Sequence, residues 1–202
     1  MRDVAKSAIR AKLVQVAQEQ FLKSGFDEVT VSDLAETAGV SRSTFLRYVG
    51  SKEDAVLGLL DVQGPELVAA LAARPPAESH WTALRRTLVP LIAGSRTDPT
   101  GGYELARLIY ETPSLIAGTM QRQRVMRQHL VPVLIARGNP PLSEVQASML
   151  ASAALNAINI ATETWVASGG KLRFDALVAD AFDTFQAPDP RRPGTPARTP
   201  QD

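Results

Sequence analysis

Apolar residues recur along this chain at helical spacing, and no stretch alternates in the two-residue rhythm of a half-buried strand. Ile9, Leu13, Val16, Ala17 and Phe21 draw one stripe and predict a first helix from about Val4 to Ser24, stopped by Gly25. Thr30 with Asp33 is a capping pair for a second helix, whose apolar face carries Leu34 and Ala35. Gly39 suits the left-handed stop after it. Ser41 caps a third helix, Arg42 to about Val49, with Phe45 and Val49 four apart for burial. Ser51 and Asp54 open a fourth, with Val56, Leu57, Leu67 and Leu71 along it, ending near Ala73 before Arg74-Pro75-Pro76. Gly64-Pro65 lies inside it. A proline removes a backbone donor and disfavours helix at the preceding residue, so a kink or break is expected there.

Beyond that point the pattern predicts five more helices. Ser79 to about Ser95 carries Trp81, Leu84 and Leu88, with a bend expected at Pro90. Thr97 to Gly102 reads as a loop, followed by a short helix, Tyr103 to Glu111, stopped by Pro113. Ser114 to about Arg137 is long and holds Pro132. Ser143 caps a helix through Ala167, with Val145, Met149, Ala153, Ile160 and Trp165 among its apolar positions. Ser168-Gly169-Gly170 turns the chain into a last helix, Phe174 to Phe185. The fold class is therefore all-α, with about nine helices. Residues 1–52 form one unit and 53–186 a second. The segment 187–202 has five prolines and almost no apolar residue, so it reads as a disordered tail.

Composition narrows the chemistry. There is no cysteine, which excludes thiol catalysis, disulfides and thiolate metal sites. His80 and His129 are the two histidines and lie far apart in sequence, so metal ligation and His-based catalysis have thin support. No cofactor and no metal is expected, and an enzyme would lack a nucleophile–base pair and a phosphate loop. No apolar run approaches the ~20 residues that span a bilayer, and the start of the chain has no signal-peptide pattern. A cytoplasmic protein without membrane contact is expected. Net charge is only +1 over 202 residues. Residues 1–52 carry eight Lys/Arg and six Asp/Glu, an excess of +2, so any basic footprint is local.

The stretch Thr30 to Asp54 is the most specific signal. A helix, a short glycine turn and a second helix with a polar face make a helix-turn-helix, whose second helix enters the DNA major groove. Arg42, Ser43, Thr44, Arg47 and Tyr48 lie on or near the face opposite Phe45 and Val49. Arginine reads guanine O6 and N7 with a bidentate bond, and short hydroxyls reach base edges or phosphate. The competing reading is a compact three-helix packing with solvated Arg and Ser. Residues Ile9 to about Val56 resemble the DNA-binding domain of the TetR family of bacterial regulators. The resemblance rests on Ile9, Ala17 and Phe21, on Gly25 to Thr30, on the Ala38-Gly39-Val40-Ser41 turn, on Ser43-Thr44-Phe45 and on Ser51 to Asp54. It implies that Arg42, Ser43, Thr44 and Arg47 touch bases and phosphates. Lys52 matches a phosphate-binding lysine, and Thr30 and Ser32 match backbone or base contacts. Leu46 stands where the family usually has a phosphate-binding tyrosine, and Tyr48 offers a substitute hydroxyl from a neighbouring position.

The remaining helices suggest a cavity and an interface. Trp81, Tyr103, Arg107, Tyr110, Met120, Met126, Asn156, Asn159 and Trp165 are large, adaptable or polar-tipped residues among Ala and Leu, and are candidate ligand contacts. Ordinary core packing is the rival assignment for each. Arg107 also has Glu104 and Glu111 three and four residues away for an ion pair. The segment from Arg107 to Leu115 with Gln121 to Arg124 is similar to a TetR subgroup whose C-terminal domain is assigned to acyl-CoA-like ligands. The resemblance implies a two-fold dimer through Ser143–Ala167 and Phe174–Phe185, and the former helix carries Ala147, Ser148, Ala151, Ser152, Ala154 and Ala157 for close helix approach. Together these point to a ligand-responsive homodimeric repressor that binds a pseudo-palindromic double-stranded DNA operator and leaves it when a small lipophilic or acyl-type effector binds. An activator of the same fold, and a helical dimer without DNA binding, are the alternatives.

Overall fold

The computed structural model describes residues 2–94, 99–138 and 140–185, with the side chains of 2–5, 7, 59–63, 91–94 and 99–101 also outside the description. The expected tail, 187–202, lies outside the described residues. Among the described residues the chain is all helix: α1 Arg2–Ser24, α2 Val31–Thr37, α3 Arg42–Val49, α4 Lys52–Ala72, α5 His80–Gly94, α6 Pro99–Glu111, α7 Pro113–Arg137, α8 Glu144–Ala167 and α9 Phe174–Asp183. The capping pairs act as anticipated. Thr30, Ser51 and Ser143 each accept the N–H three residues on, and Asp33, Asp54 and Gln146 return the bond.

Three boundaries differ from expectation. Of the loop expected at Thr97–Gly102, positions 97–98 lie outside the described residues and Pro99 to Gly102 already belong to α6. A proline in the first helical turn lacks only a donor that has no partner there, so it opens a helix as readily as it ends one. Pro113 does the same for α7. α4 runs on through Gly64-Pro65 without the break that the proline suggested. Its two ends are buried in different cores, and that packing outweighs one missing hydrogen bond.

Those two cores organise the molecule. The first joins Leu13, Ala17 and Phe21 of α1 with Phe26, Val29, Leu34, Phe45 and Val49. It also takes in Ala55, Val56 and Leu57 of α4 and Leu115 of α7, so it extends past residue 52. The second joins Leu67 and Leu71 of α4, Trp81, Leu84 and Leu88 of α5, Leu130 and Leu134 of α7, and Val178 and Phe182 of α9. The α8 alanines 147, 151, 154, 157 and 161 are buried in this second core. Of the small residues expected to serve approach between copies, the four alanines 147, 151, 154 and 157 are thus packed within the protomer, while Ser148 and Ser152 are half-buried. The apolar α8 positions Val145, Met149 and Ile160 are exposed instead, at 72%, 66% and 51%.

Candidate functional site

The segment α2–turn–α3–α4 is fixed by local bonds. Ala38, Gly39 and Val40 donate to the carbonyls of Leu34 at 3.0 Å, Glu36 at 3.0 Å and Ala35 at 2.9 Å. Gly39 has φ +67 with open space where a side chain would go, so backbone conformation and not crowding favours glycine there. Thr30 donates its N–H and hydroxyl to Asp33 at 2.8 and 2.7 Å. The Thr30 hydroxyl and then its N–H hold the Asp33 carboxyl below the usual carboxylate range, against a slight opposing effect of burial. Ser32 is exposed beside it.

On α3, Phe45 and Val49 are sunk in the first core, which turns the opposite face outward. Arg42, Ser43 and Arg47 are exposed, and Thr44 and Tyr48 half-buried. The Ser41 hydroxyl accepts the Thr44 N–H at 3.1 Å, donates to Thr44 Oγ1 at 2.9 Å and lies 3.0 Å from Ser43 Oγ. The short hydroxyls of the first turn are therefore held together, while the Arg47 guanidinium stacks 5.3 Å above the Tyr48 ring centre. Leu46 is half-buried.

α4 begins immediately after. Lys52, the first residue of α4, is half-buried with Nζ 4.2 Å over the Phe26 ring centre, a cation–π contact. All eight expected DNA contacts thus lie on one contiguous stretch, from the start of α2 to the start of α4, and none is fully buried. Sequence reasoning missed one partner. Arg122 of α7 forms an ion pair with Asp54 Oδ1, while Asp54 Oδ2 accepts the Ser51 N–H at 2.9 Å. Burial pushes the Asp54 carboxyl up, but the Arg122 and Ser51 hydrogen bonds and the Arg122 charge bring it below the ordinary value.

The nine candidate ligand contacts do not converge on one point. Tyr103 sits edge-on to Trp165 at 5.3 Å, and Trp165 rests on Phe174 at 5.1 Å, joining α6, α8 and α9. Tyr110 donates its hydroxyl to the Asn159 carbonyl at 3.1 Å and also meets Asn159 Oδ1. Trp81 meets the tilted Phe182 ring and the edge of Phe185 at 5.1 and 5.2 Å and donates Nε1 to the Phe182 carbonyl at 3.0 Å. Met126 is half-buried in the second core. Arg107, Met120 and Asn156 are exposed. Arg107 is paired with Glu104 at 2.7 Å and Glu111 at 3.1 Å, and the Glu104 hydrogen bond leads in raising its pKa. Two overlapping open hollows lie elsewhere, between the end of α4 and α5. One of about 460 Å³ is lined by Arg74, Arg85, Arg86, Val89 and Pro90. The other, of about 330 Å³, adds Ala70 and Thr87. The adjacent Arg85-Arg86 pair was the available sequence signal for it. Among the described residues no group of three or more His, Asp or Glu is placed to hold a metal ion, and no helix is long and apolar enough to cross a membrane.

Comparison with known proteins gives matches over both halves of the chain. The model for bacterial regulatory proteins of the tetR family matches residues 13–57, and the model for the MftR C-terminal domain matches 78–190. The chain is 28% identical over 141 residues to the HTH-type transcriptional regulator TcmR of Streptomyces glaucescens, a match covering 67% of this chain and 62% of TcmR. It is 27% identical over 172 residues to the putative mycofactocin biosynthesis transcriptional regulator MftR of Mycobacterium tuberculosis, covering 85% of this chain and 86% of MftR. Among solved structures, NalD of Pseudomonas aeruginosa, the secondary repressor of the MexAB-OprM multidrug efflux pump, superposes with a TM-score of 0.57 at 16% identity, covering 91% of this chain and 95% of NalD. FadR of Bacillus subtilis in complex with stearoyl-CoA gives 0.58 at 16%, covering 86% of this chain and 95% of FadR. At such identities the superpositions speak to the fold.

Proposed function

Because the chain belongs to the TetR family of transcriptional regulators, we propose that it is a homodimeric, ligand-responsive repressor acting on cytoplasmic DNA. The observation that carries this is the outward face of α3. Arg42, Ser43 and Arg47 project from a helix whose other side is locked into the first core, directly before the lysine-bearing start of α4. That is the layout of a helix laid in the major groove with its flank on phosphate. Arg47 and Arg42 are the base-reading candidates. Lys52, Ser32, Ser43 and Thr44 position the backbone, with Tyr48 supplying the hydroxyl that Leu46 lacks. Thr30 acts chiefly as the α2 cap, since its hydroxyl is already given to Asp33.

Dimerisation runs through α8 and α9. The exposed Val145, Met149 and Ile160 follow one another along a single outer face of α8, with Asn156 between them, and apolar residues so placed call for a covering partner. Asn156 therefore belongs to the interface and not to a ligand site. The effector is a lipophilic or acyl-type molecule. Its supports are the MftR-type C-terminal domain and the fold shared with a FadR that holds stearoyl-CoA. Tyr103, Tyr110, Asn159 and Trp165, which cluster between α6 and α8, are the contacts retained for it. Residues 1–52 recognise DNA, and 53–186 bind effector and partner.

The test is fluorescence anisotropy of the purified dimer on its own upstream DNA across a salt series, with and without long-chain acyl-CoA. Selective binding with a steep salt slope is expected. Arg47→Ala should weaken selective binding by about 1–3 kcal/mol, and Lys52→Ala should weaken all sequences alike and flatten the slope. Equal affinity for operator and random DNA in the wild type would refute the reading.

A further inference from the structure

The first turn of α4 carries a conflict. Its free N–H groups and Lys52 attract a phosphate, yet Glu53 and Asp54, at the second and third helical positions, place two carboxylates in the same turn. Asp54 cannot be dispensed with locally, because its Oδ2 accepts the Ser51 N–H that closes the cap. Its other oxygen is taken by Arg122, which comes from the middle of α7 in the effector-binding half of the chain. The Arg122 side chain is only 17% exposed and Asp54 37%, so the pair is shielded on the arginine side and open on the side of the α4 start. The approach of α7 is close. Leu57 of α4 packs over Gly118, one turn before Arg122, so tightly that a β-carbon there would lie 2.6 Å from Leu57 Cδ1. A larger residue at 118 would force the buried Leu57 side chain to shift where α7 approaches α4.

We infer that Arg122 is a positioning residue for DNA binding, neutralising Asp54 so that the start of α4 can accept a DNA phosphate. The inference rests on the proposed phosphate contact at Lys52. Held in place, Arg122 balances the side-chain charges there, Lys52 and Arg122 against Glu53 and Asp54, and leaves the positive end of the helix to attract the phosphate. Withdrawn with α7, it leaves a carboxylate facing the DNA backbone. Coupling between effector and operator then includes a change in local charge as well as any change in the separation of the two α3 helices. Neighbouring charge acts over the ~10 Å at which salt does not yet screen it.

The test uses the full-length dimer and labelled upstream DNA. Arg122→Gln should weaken binding about tenfold, the order expected for one unscreened charge at a partly buried site. Arg122→Lys should stay within about threefold. Asp54→Asn/Arg122→Gln should recover most of the loss, because asparagine still caps Ser51 but carries no charge. A merely structural role for the pair predicts no such recovery. Thermal midpoints of all variants separate misfolding from lost affinity. If Lys52→Ala weakens binding while Arg122→Gln does not, the inference is overturned and the phosphate contact stands. If the double variant binds as weakly as Arg122→Gln, the charge argument is overturned. If Lys52→Ala has no effect, the phosphate contact falls and takes the inference with it.

Discussion

Arg137, the last residue of α7, offers a prediction that can be worked from distances. Its guanidinium donates from Nη1 to the carbonyls of Leu71 at 3.4 Å and Arg74 at 3.0 Å, and from Nη2 to those of Pro75 at 2.9 Å and Glu78 at 3.2 Å. These carbonyls close the end of α4 and the turn into α5. Leu71 and Pro75 also accept backbone N–H groups, from Arg74 at 3.2 Å and Glu78 at 3.1 Å, so truncation falls mainly on the other two. A hydrogen bond to a charged group contributes about 1.5–3 kcal/mol, and the site is partly open to water, so Arg137→Ala should cost about 2–4 kcal/mol. In a chain of this length each kcal/mol moves the thermal midpoint by about 2–4 °C, which gives a drop of roughly 4–16 °C. Circular dichroism at 222 nm during heating measures it, at one fixed protomer concentration because dimerisation also shifts the midpoint. Arg137→Lys keeps the charge but loses the fork, and should recover less than half. A midpoint for Arg137→Ala within about 2 °C of the wild type would refute the view that this arginine clamps the end of α4.

Two further outcomes follow from other contacts. Glu78 accepts from Arg74 and from Arg86, and the Arg74 hydrogen bond, then that of Arg86, hold its carboxyl down to about 2 against the opposing effect of burial. A carboxyl depressed on folding stabilises above its unfolded value of 4.5 and loses that contribution as pH falls toward about 2. The difference in thermal midpoint between wild type and Glu78→Gln should therefore be full near neutral pH and shrink below about pH 4.5; a constant difference would count against it. Met149→Asp and Ile160→Asp alter side chains 66% and 51% exposed in the protomer, so each should fold but elute as monomer in size-exclusion chromatography with light scattering, and lose operator affinity. Retention of the dimer by both would place the interface elsewhere.

What the sequence made legible was local. Thr30 with Asp33, Ser51 with Asp54, and Ser143 at the head of α8 could be read because a cap and its partner sit within one turn. The α3 faces followed from Phe45 and Val49, and the ion pairs of Arg107 from its spacing to Glu104 and Glu111. What stayed hidden depended on distance or on context. Arg122 and Asp54 are 68 positions apart, and nothing near either residue names the other. Pro99 and Pro65 carry the same missing donor, but one opens a helix and the other rides inside one, because neighbours outside the local window decide. On α8, alanines and larger apolar residues both repeat at helical spacing. Only packing shows that the alanines face the protomer core and that Val145, Met149 and Ile160 face out. The effector list suffered most, since residue type says that Trp81 is large but not that Phe182 already covers it.

The contacts of α4 with α7 bear directly on how an effector would reach DNA. Asp54 meets Arg122, Leu57 meets Gly118, Gly64 faces Met126 and Leu71 meets Arg137, so the two helices run in the same direction with α7 touching α4 at both ends. From Asp54 to Leu71 is about 25 Å at the ~1.5 Å rise of an α-helix. The near end of α4 is locked into the first core and the far end into the second. A helix gripped in this way moves as one body when its partner moves, and Pro65 leaves it continuous. α7 also packs on α8, the helix assigned to the dimer face. On the proposed function, α7 is thus the element that both effector and operator must bias. An effector favouring one α7 position by about 3 kcal/mol would change operator affinity by roughly 150-fold. Part of that coupling passes through the Asp54 charge. An effector that weakens wild-type binding should therefore weaken Asp54→Asn less, and an equal effect on both would leave helix spacing as the sole route.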